Sequence, residues 1–242
     1  MERDLNVCII PARGGSKRIP KKNIKFFLGK PIIAYSIEAA FDSGLFDKVV
    51  VSTDSKEIAQ VAEKYSAEVP FVRPKEISDD YTGTNDVVKH ALNWYIKQDI
   101  VFDYVCCLYA TAPFVGKEYL EAGLKKLHSS HNKSFAFSVT SFPFPIQRAI
   151  SIDNHEISSI YPEYIKKRSQ DLLEAFHDAG QFYWGRPSAF LGNDNLFSNN
   201  SVPVIIPRHL VQDIDTLEDW KRAELMYRAL TLEKTERIGK LE

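Results

Sequence analysis

A chain of 242 residues with 31 lysines and arginines against 32 aspartates and glutamates has a formal net charge of −1; its overall field will not gather nucleic acid, so any anion site must be local. Apolar and charged fractions of 44% and 26% are those of an ordinary soluble globular protein, and the length suits one α/β domain with an insertion, spanning residues 1–242. The first residues lead straight into a strand without a signal-peptide pattern, and no apolar run is long enough to span a membrane, so a cytoplasmic protein with its three cysteines reduced is expected.

The first apolar run, Val7-Cys8-Ile9-Ile10, has the continuous character of a strand buried on both faces of a parallel sheet. A turn-rich stretch with Gly14, Gly15, Ser16 and Pro20 follows. Between Arg13 and Lys25 it carries six cations (Arg13, Lys17, Arg18, Lys21, Lys22 and Lys25) and no carboxylate. Backbone amides freed by glycine, converging with lysine and arginine where a strand ends, make a polyphosphate cradle. A solvated basic loop would carry the same charge, but would not need glycines interleaved with the cations directly after a buried strand. The spacing is neither the G-x-x-x-x-G-K-[ST] of the Walker loop nor the G-x-G-x-x-G of dinucleotide folds.

Pro31 stands where a helix should begin, with Ile32, Ile33, Ile37 and Ala40 as its apolar stripe and Gly44 as its stop. A second strand runs from Lys48 to Asp54, apolar in its middle and polar at its carboxyl end, and Ser55 or Asp54 can cap the helix that follows. Strand and helix alternating at this spacing predict right-handed crossovers and a parallel sheet, with ligands at the carboxyl ends of its strands. A short strand is expected from Val69 to Pro74, then a polar loop in which Arg73 and the Asp79-Asp80 pair stand out. A solvated loop closed by Thr84 or Asn85 as a helix cap accounts for this segment as well as a ligand contact does. The helix from Asp86 to Gln98 puts Val87, Val88, Ala91, Leu92 and Tyr95 on a core face. Tyr104 to Tyr109 is the most apolar strand after the first, hence central, and ends in the polar turn Ala110-Thr111-Ala112. An amphipathic helix from Lys117 to His128 and a strand from Phe135 to Val139 continue the alternation.

There the alternation breaks. Residues 140–180 hold Pro143, Pro145 and Pro162, a hairpin signal at Asp153-Asn154, and the aromatics Tyr161, Tyr164 and Phe176, with no long helical stripe. An irregular surface insertion and an interaction arm both fit that composition. A strand from Val202 to Ile206 then leads to Gln212-Asp-Ile-Asp-Thr-Leu-Glu-Asp219, ahead of a helix bearing Trp220, Ala223 and Met226. Asp213 and Asp215 are two residues apart, so on an extended backbone both carboxylates point to one side. Two hard oxygen ligands on one side suit Mg2+, which keeps waters and phosphate oxygens for its other positions. Helix capping and the helix dipole explain Asp215, Glu218 and Asp219 but not Asp213, which favours a metal pair.

The run Ala-Arg-Gly-Gly-Ser-Lys-Arg-Ile-Pro-Lys-Lys-Asn over residues 12–23 resembles the nucleotide-binding loop of the acylneuraminate cytidylyltransferases, which couple CTP to nine-carbon 2-keto sugar acids. The resemblance implies a nucleotide site of Ala12, Arg13, Gly14, Gly15, Ser16, Lys22 and Asn23, with Arg73 and Thr84 at the base. Asp-Ile-Asp-Thr matches the family's magnesium motif and puts Mg2+ on Asp213 and Asp215. The segment from Arg168 to Trp184, together with Leu108 to Phe114, is similar to the pseudaminic acid branch; sialic acid enzymes have glutamine at the position of Tyr109 and arginine at that of His177. The sugar pocket implied draws on Tyr109, Thr111, Gln147, Arg148, Arg168, Gln170, His177 and Gln181. Arg168 and Gln170 would hold the carboxylate or acyl groups, and a lone His177 also reads as a structural histidine. In the family the segment corresponding to residues 140–180 is an arm exchanged with a second subunit, which implies a homodimer.

The expectation is therefore a three-layer α/β domain, mostly parallel and doubly wound (Rossmann-like), of the nucleotidyltransferase type, with a dimerisation insertion at about 140–180. Its reaction would be Mg2+-dependent transfer of CMP from CTP to the anomeric hydroxyl of a nine-carbon 2-keto sugar acid, pseudaminic acid by the branch resembled, with release of pyrophosphate. Arg13, Lys17 and Lys22 would meet the charge of the leaving group, Asp213 and Asp215 would hold the metal, and no nucleophilic side chain is required. The alternatives are sialic or legionaminic acid as acceptor, or a nucleotide-binding regulatory module, which would have no use for Asp213 and Asp215. Neither nucleic acid nor a membrane is an expected partner.

Overall fold

The computed structural model describes residues 4–192 and 194–238. Its elements run β1 (Asn6–Pro11), a short ribbon of β2 (Phe26–Phe27) and β3 (Lys30–Pro31), α1 (Ile32–Ser43), β4 (Lys48–Ser52), α2 (Lys56–Lys64), α3 (Thr84–Ile96), β5 (Tyr104–Leu108) and α4 (Lys117–Ser129). There follow β6 (Phe135–Ser141), β7 (Ile150–Asp153), β8 (Glu156–Ser159), β9 (Phe176–Gly185), α5 (Pro187–Gly192), β10 (Ser201–Ile205) and α6 (Leu217–Ile238).

Six strands form one sheet in the order β10-β6-β9-β5-β1-β4. β1 pairs in parallel with β4 and β5, and β6 with β10, while β9 runs against both of its neighbours, β5 and β6. The two-residue alternation of a strand sends Cys8 and Ile10 to one face and Val7 and Ile9 to the other. On the first face they pack with Ile33 and Ile37 of α1, Ile58 of α2 and Leu120 of α4. On the second they meet Val88, Leu92 and Tyr95 of α3 and Phe190 of α5. The expected three-layer, mostly parallel architecture is what forms, and all three cysteines are buried and free.

Local signals worked where the backbone chemistry was unambiguous. Gly44, at φ 66°, closes α1 in the left-handed region, and the Ser55 hydroxyl caps α2 by accepting from Ile58 N–H at 3.4 Å. The hairpin β7–β8 turns at Asn154 and His155, both at positive φ (46° and 69°), the geometry of a two-residue primed turn. Three expectations need correction. α3 begins at Thr84 with Gly83 as its N-cap, so neither Thr84 nor Asn85 caps it; Asn85 donates instead to the Phe190 carbonyl at 3.1 Å. The segment from Val69 to Pro74 makes only an isolated bridge, Thr53 with Val72, and Val72 is exposed. The last residues of the expected insertion, 176–180, belong instead to β9, which enters the middle of the sheet between β5 and β6, with Phe182, Tyr183 and Trp184 buried just beyond the expected boundary.

A third, smaller core lies beside the sheet and joins Ile19 of the basic loop to Phe27, Tyr35, Phe114, Ile214 and Trp220. Phe27 meets Tyr35 and Trp220 edge-on at 5.5 and 5.6 Å. Ile19 and Ile214 are both fully buried. Truncating either to alanine should cost about 2–5 kcal/mol, and with it the positions of the loop and of the acid run.

Candidate active site

The basic loop leaves the carboxyl end of β1 and is held there by its backbone. Ala12 N–H donates to the Ser52 carbonyl at 2.9 Å, and Gly14 N–H to Oδ1 of Asp54 at 2.9 Å. A side chain at Gly14 would put its Cβ 3.1 Å from that of Ser55, so this close approach to the end of β4 suits glycine. Asn23 is buried and donates to the Arg13 carbonyl at 2.9 Å, closing the loop on itself. With the backbone pinned and Ile19 sunk into the small core, the cationic side chains fan out over a cavity of about 540 Å3.

Opposite the loop, Ile214 anchors the run from Asp213 to Asp215, and alternation turns both carboxylates to the other side. Asp215 receives Arg18 at 2.9 Å and Lys22 at 3.3 Å, and Lys22 Nζ also donates to the Ile214 carbonyl at 2.6 Å. Partial desolvation, with Asp215 adding, pushes the Asp213 carboxyl above the usual carboxylate range, against the pull of Lys22. This is a negative, oxygen-only donor pair beside a cationic loop. Among the described residues no group of three or more His, Cys, Asp or Glu side chains converges, so an ion here would complete its shell with water and ligand oxygens. Asp219 accepts from Asp215 N–H, Thr216 N–H and the Thr216 hydroxyl, which fixes the acid run against the start of α6.

The cavity's third wall is the loop before α3 together with the end of β5. Arg73 is 3% exposed; its Nε donates to Ser78 at 3.1 Å, it faces Asp54 at 3.9 Å, and its second terminal nitrogen makes no hydrogen bond. Burial lowers its pKa, opposed by Asp54 and reinforced by Arg13. Thr84 and Tyr109 join hydroxyls at 3.1 Å, and Tyr109 packs on Tyr183, whose hydroxyl donates to Asp178 at 2.6 Å. Asp80 spans Arg13 and Lys17 at 2.5 Å each; those two contacts, from Lys17 first and then Arg13, hold its pKa low.

The cavity thus gathers Arg13, Ser16, Lys17, Lys22, Asn23, Arg73, Thr84, Tyr109, Thr111 and Asp215. Ala12 is buried beneath it and Gly14 and Gly15 form the loop backbone, whereas Asp213 is exposed and does not line it. The remaining sugar-pocket candidates do not line it. Gln147 donates to the Leu173 carbonyl at 3.0 Å, Arg148 to that of Ile165 at 2.9 Å, and Arg168 pairs with Asp171 at 2.8 Å; Gln170 is exposed beside them. His177 has its Nδ1 2.8 Å from the Asp178 carbonyl and its ring edge-on to Phe142. Gln181, 3% exposed, donates to the Leu210 carbonyl at 2.5 Å and so braces the chain leading to Asp213. The sequence alone assigns no role to the Asp80 bridge, and leaves Asp54 between a helix cap and a place at the ligand-bearing end of β4. The signal for Asp54 was its place at the carboxyl end of β4, level with the cradle.

The profile of the cytidylyltransferase family matches residues 7–145, from β1 to the start of the insertion. Pseudaminic acid cytidylyltransferase of Campylobacter jejuni subsp. jejuni is 49% identical over 224 residues, 92% of this chain and 96% of that one. CMP-N,N'-diacetyllegionaminic acid synthase of Legionella pneumophila subsp. pneumophila is 33% identical over 224 residues, covering 90% and 94%. The solved structure of CMP:2-keto-3-deoxy-manno-octonic acid synthetase complexed with CTP superimposes with a TM-score of 0.68 at 16% identity, over 95% of this chain and 99% of that one, a likeness of fold. With a profile spanning more than half of the chain and relatives aligned along nearly all of it, the chain belongs to the cytidylyltransferases, nucleotidyltransferases that use CTP.

Proposed function

We propose that this enzyme transfers CMP from CTP to the anomeric hydroxyl of pseudaminic acid, with Mg2+ on Asp213 and Asp215, and releases pyrophosphate. The observation that carries the reading is one cavity, at the carboxyl ends of parallel strands, lined by Arg13, Lys17, Lys22 and Asp215, with Lys22 and Arg18 paired to Asp215. A triphosphate needs cations of that kind, and the Asp213 carboxyl, raised by desolvation first and by neighbouring Asp215 second, belongs to an oxygen-donor pair that a hard dication suits. When bound, Mg2+ would neutralise phosphate oxygens and orient the leaving group. The chain's own part is to meet the charge that grows on pyrophosphate with Arg13, Lys17 and Lys22, preorganised by the backbone bonds at Ala12 and Gly14. Arg73, buried with a donor unused, and Thr84 line the same cavity and suit the base.

Pseudaminic acid as acceptor is supported by the relative of that name at 49% identity and by Tyr109. Its ring offers a mostly apolar wall with one hydroxyl, suited to a sugar with a methyl terminus and two acylamino groups. Homodimerisation through the arm is the second part of the proposal. Ile150, Ile152, Ile157, Ile165 and Leu173 all lie exposed on it, and a specific interface of roughly 1,200 Å2 or more would cover them. The arm would then carry Arg168 and Gln170 to the partner's cavity. Three buried, free cysteines fit a reducing cytoplasm. The test is pyrophosphate release with pseudaminic, legionaminic and N-acetylneuraminic acids side by side at equal CTP and Mg2+. The largest specificity constant is expected for pseudaminic acid, with no release once Mg2+ is chelated; an equal or larger constant for either of the others would overturn the assignment.

A further inference from the structure

We propose that Asp80 is an internal stand-in for the triphosphate: in the free enzyme it latches the loop of residues 78–83 onto the basic loop, and CTP must displace it. The inference rests on reading the basic loop as the triphosphate site. The two carboxylate oxygens of Asp80 lie 2.5 Å from the Arg13 guanidinium and 2.5 Å from Lys17 Nζ, the bridging arrangement two phosphoryl oxygens would take on the same pair. The neighbouring residue aims it. Asp79 Oδ1 accepts from Tyr81 N–H at 3.0 Å, Thr82 N–H at 2.7 Å and the Thr82 hydroxyl at 2.7 Å, a turn that leaves Asp80 facing the cavity. Tyr81 at the tip is 94% exposed, so the apolar core does not hold the tip down.

The ends of this loop are anchored on the nucleotide side of the cavity, Ser78 by Arg73 and Thr84 by Tyr109. Loop position and occupancy of the basic loop are therefore coupled through one carboxylate. A carboxylate and a phosphate compete for the same N–H donors, and both cannot hold Arg13 and Lys17 at once. CTP loosens the latch and gains contacts at Arg73 and Thr84; a bare polyphosphate loosens it and gains none there. The device would bias the site against the inorganic anions of its surroundings, including its own product.

Calorimetric titration with CTP and Mg2+ compares wild type, Asp80→Asn and Asp79→Asn. The last removes the same charge one residue away while keeping an acceptor for the turn. Exposed ion pairs are individually weak, so Asp80→Asn should tighten CTP about fivefold and Asp79→Asn change it less than twofold. Amide exchange of residues 78–83 gives the second readout: pyrophosphate should speed it in wild type and leave Asp80→Asn, already fast, unchanged. Unchanged or weaker CTP binding in Asp80→Asn, equal effects of the two variants, or no response of the loop to pyrophosphate would overturn the latch alone. A wild type that binds no CTP would remove the nucleotide reading, and the latch with it.

Discussion

The basic loop and the arm from residue 142 to 175 both lack long helices and long strands, yet only one of them is fastened to the domain. The loop is tied to β4 through Ser52 and Asp54, closed by Asn23, and rooted by Ile19 in a buried cluster. The arm's polar side chains bond chiefly to the arm itself: Gln147 to Leu173, Arg148 to Ile165 and Arg168 to Asp171. Its apolar side chains face outward, Ile152 at 70% and Leu173 at 83% exposure. A loop ordered by its own domain can bind charge without first being ordered by the ligand, whereas isoleucines on a detached hairpin imply a surface that will cover them. In the proposed reading the nucleotide half of the site is complete within one chain, and the part of the sugar half that Arg168 and Gln170 would supply comes from a second copy.

The sharpest break of that contrast is at the acids. Asp215→Asn removes charge at constant shape and should lower turnover by a hundredfold or more, about 3 kcal/mol of transition-state stabilisation. Near-normal turnover at limiting Mg2+ would remove the metal assignment. Next is Lys22, 21% exposed and held on Ile214 and Asp215. Lys22→Ala should weaken CTP binding roughly thirtyfold, for the loss of a charge-assisted contact worth about 2 kcal/mol, with Lys22→Arg a partial rescue. Titration of both variants checks it. On the arm, Ile152→Asp with Ile157→Asp should yield monomers by sedimentation and cut transfer about tenfold, while CTP affinity stays within twofold of wild type. Loss of CTP affinity in parallel with transfer would mean that the two halves are not separable.

The smallest effect concerns stability and comes from the sign of one shift. Asp213 has a higher proton affinity in the fold than in the unfolded chain. Its charge therefore opposes folding at neutral pH, and that cost disappears as the pH falls through the raised folded value. In metal-free protein, Asp213→Asn should melt slightly above wild type at pH 7 and converge with it in acid, while activity is lost. A variant that melts lower at neutral pH would contradict the strain assigned to this carboxylate.

Much of this was legible in the chain because short-range chemistry dictates it. Val7 to Ile10 has the continuous apolar character of a buried strand, the glycines interleaved with cations after it favour a cradle over a solvated loop, and the two-residue spacing of Asp213 and Asp215 puts both acids on one side. Pairing between distant residues was not legible. β9 is an ordinary apolar run around Phe182-Tyr183-Trp184 until β5 and β6 are seen to need a strand between them, and Gly180 at φ 61° breaks the alternation that would have marked it. Asp80 meets Arg13 and Lys17, and Asp54 meets Gly14, only when loops at the ends of separate strands are brought together. The helix start at Gly83 escaped because Thr84 looks like a cap and instead bonds to Tyr109.

The division of the site between two copies is tested most directly by mixing subunits. Lys22→Ala keeps an intact arm and loses the cradle; Arg168→Ala keeps the cradle and loses the arm's cation. Each variant alone should turn over slowly. Co-refolded in equal amounts, half of the dimers are mixed, and each mixed dimer carries one site with an intact cradle and an intact partner arm. Roughly a quarter of wild-type pyrophosphate release should return. A mixture no more active than the average of the two variants would contradict the account and return the whole site to a single chain.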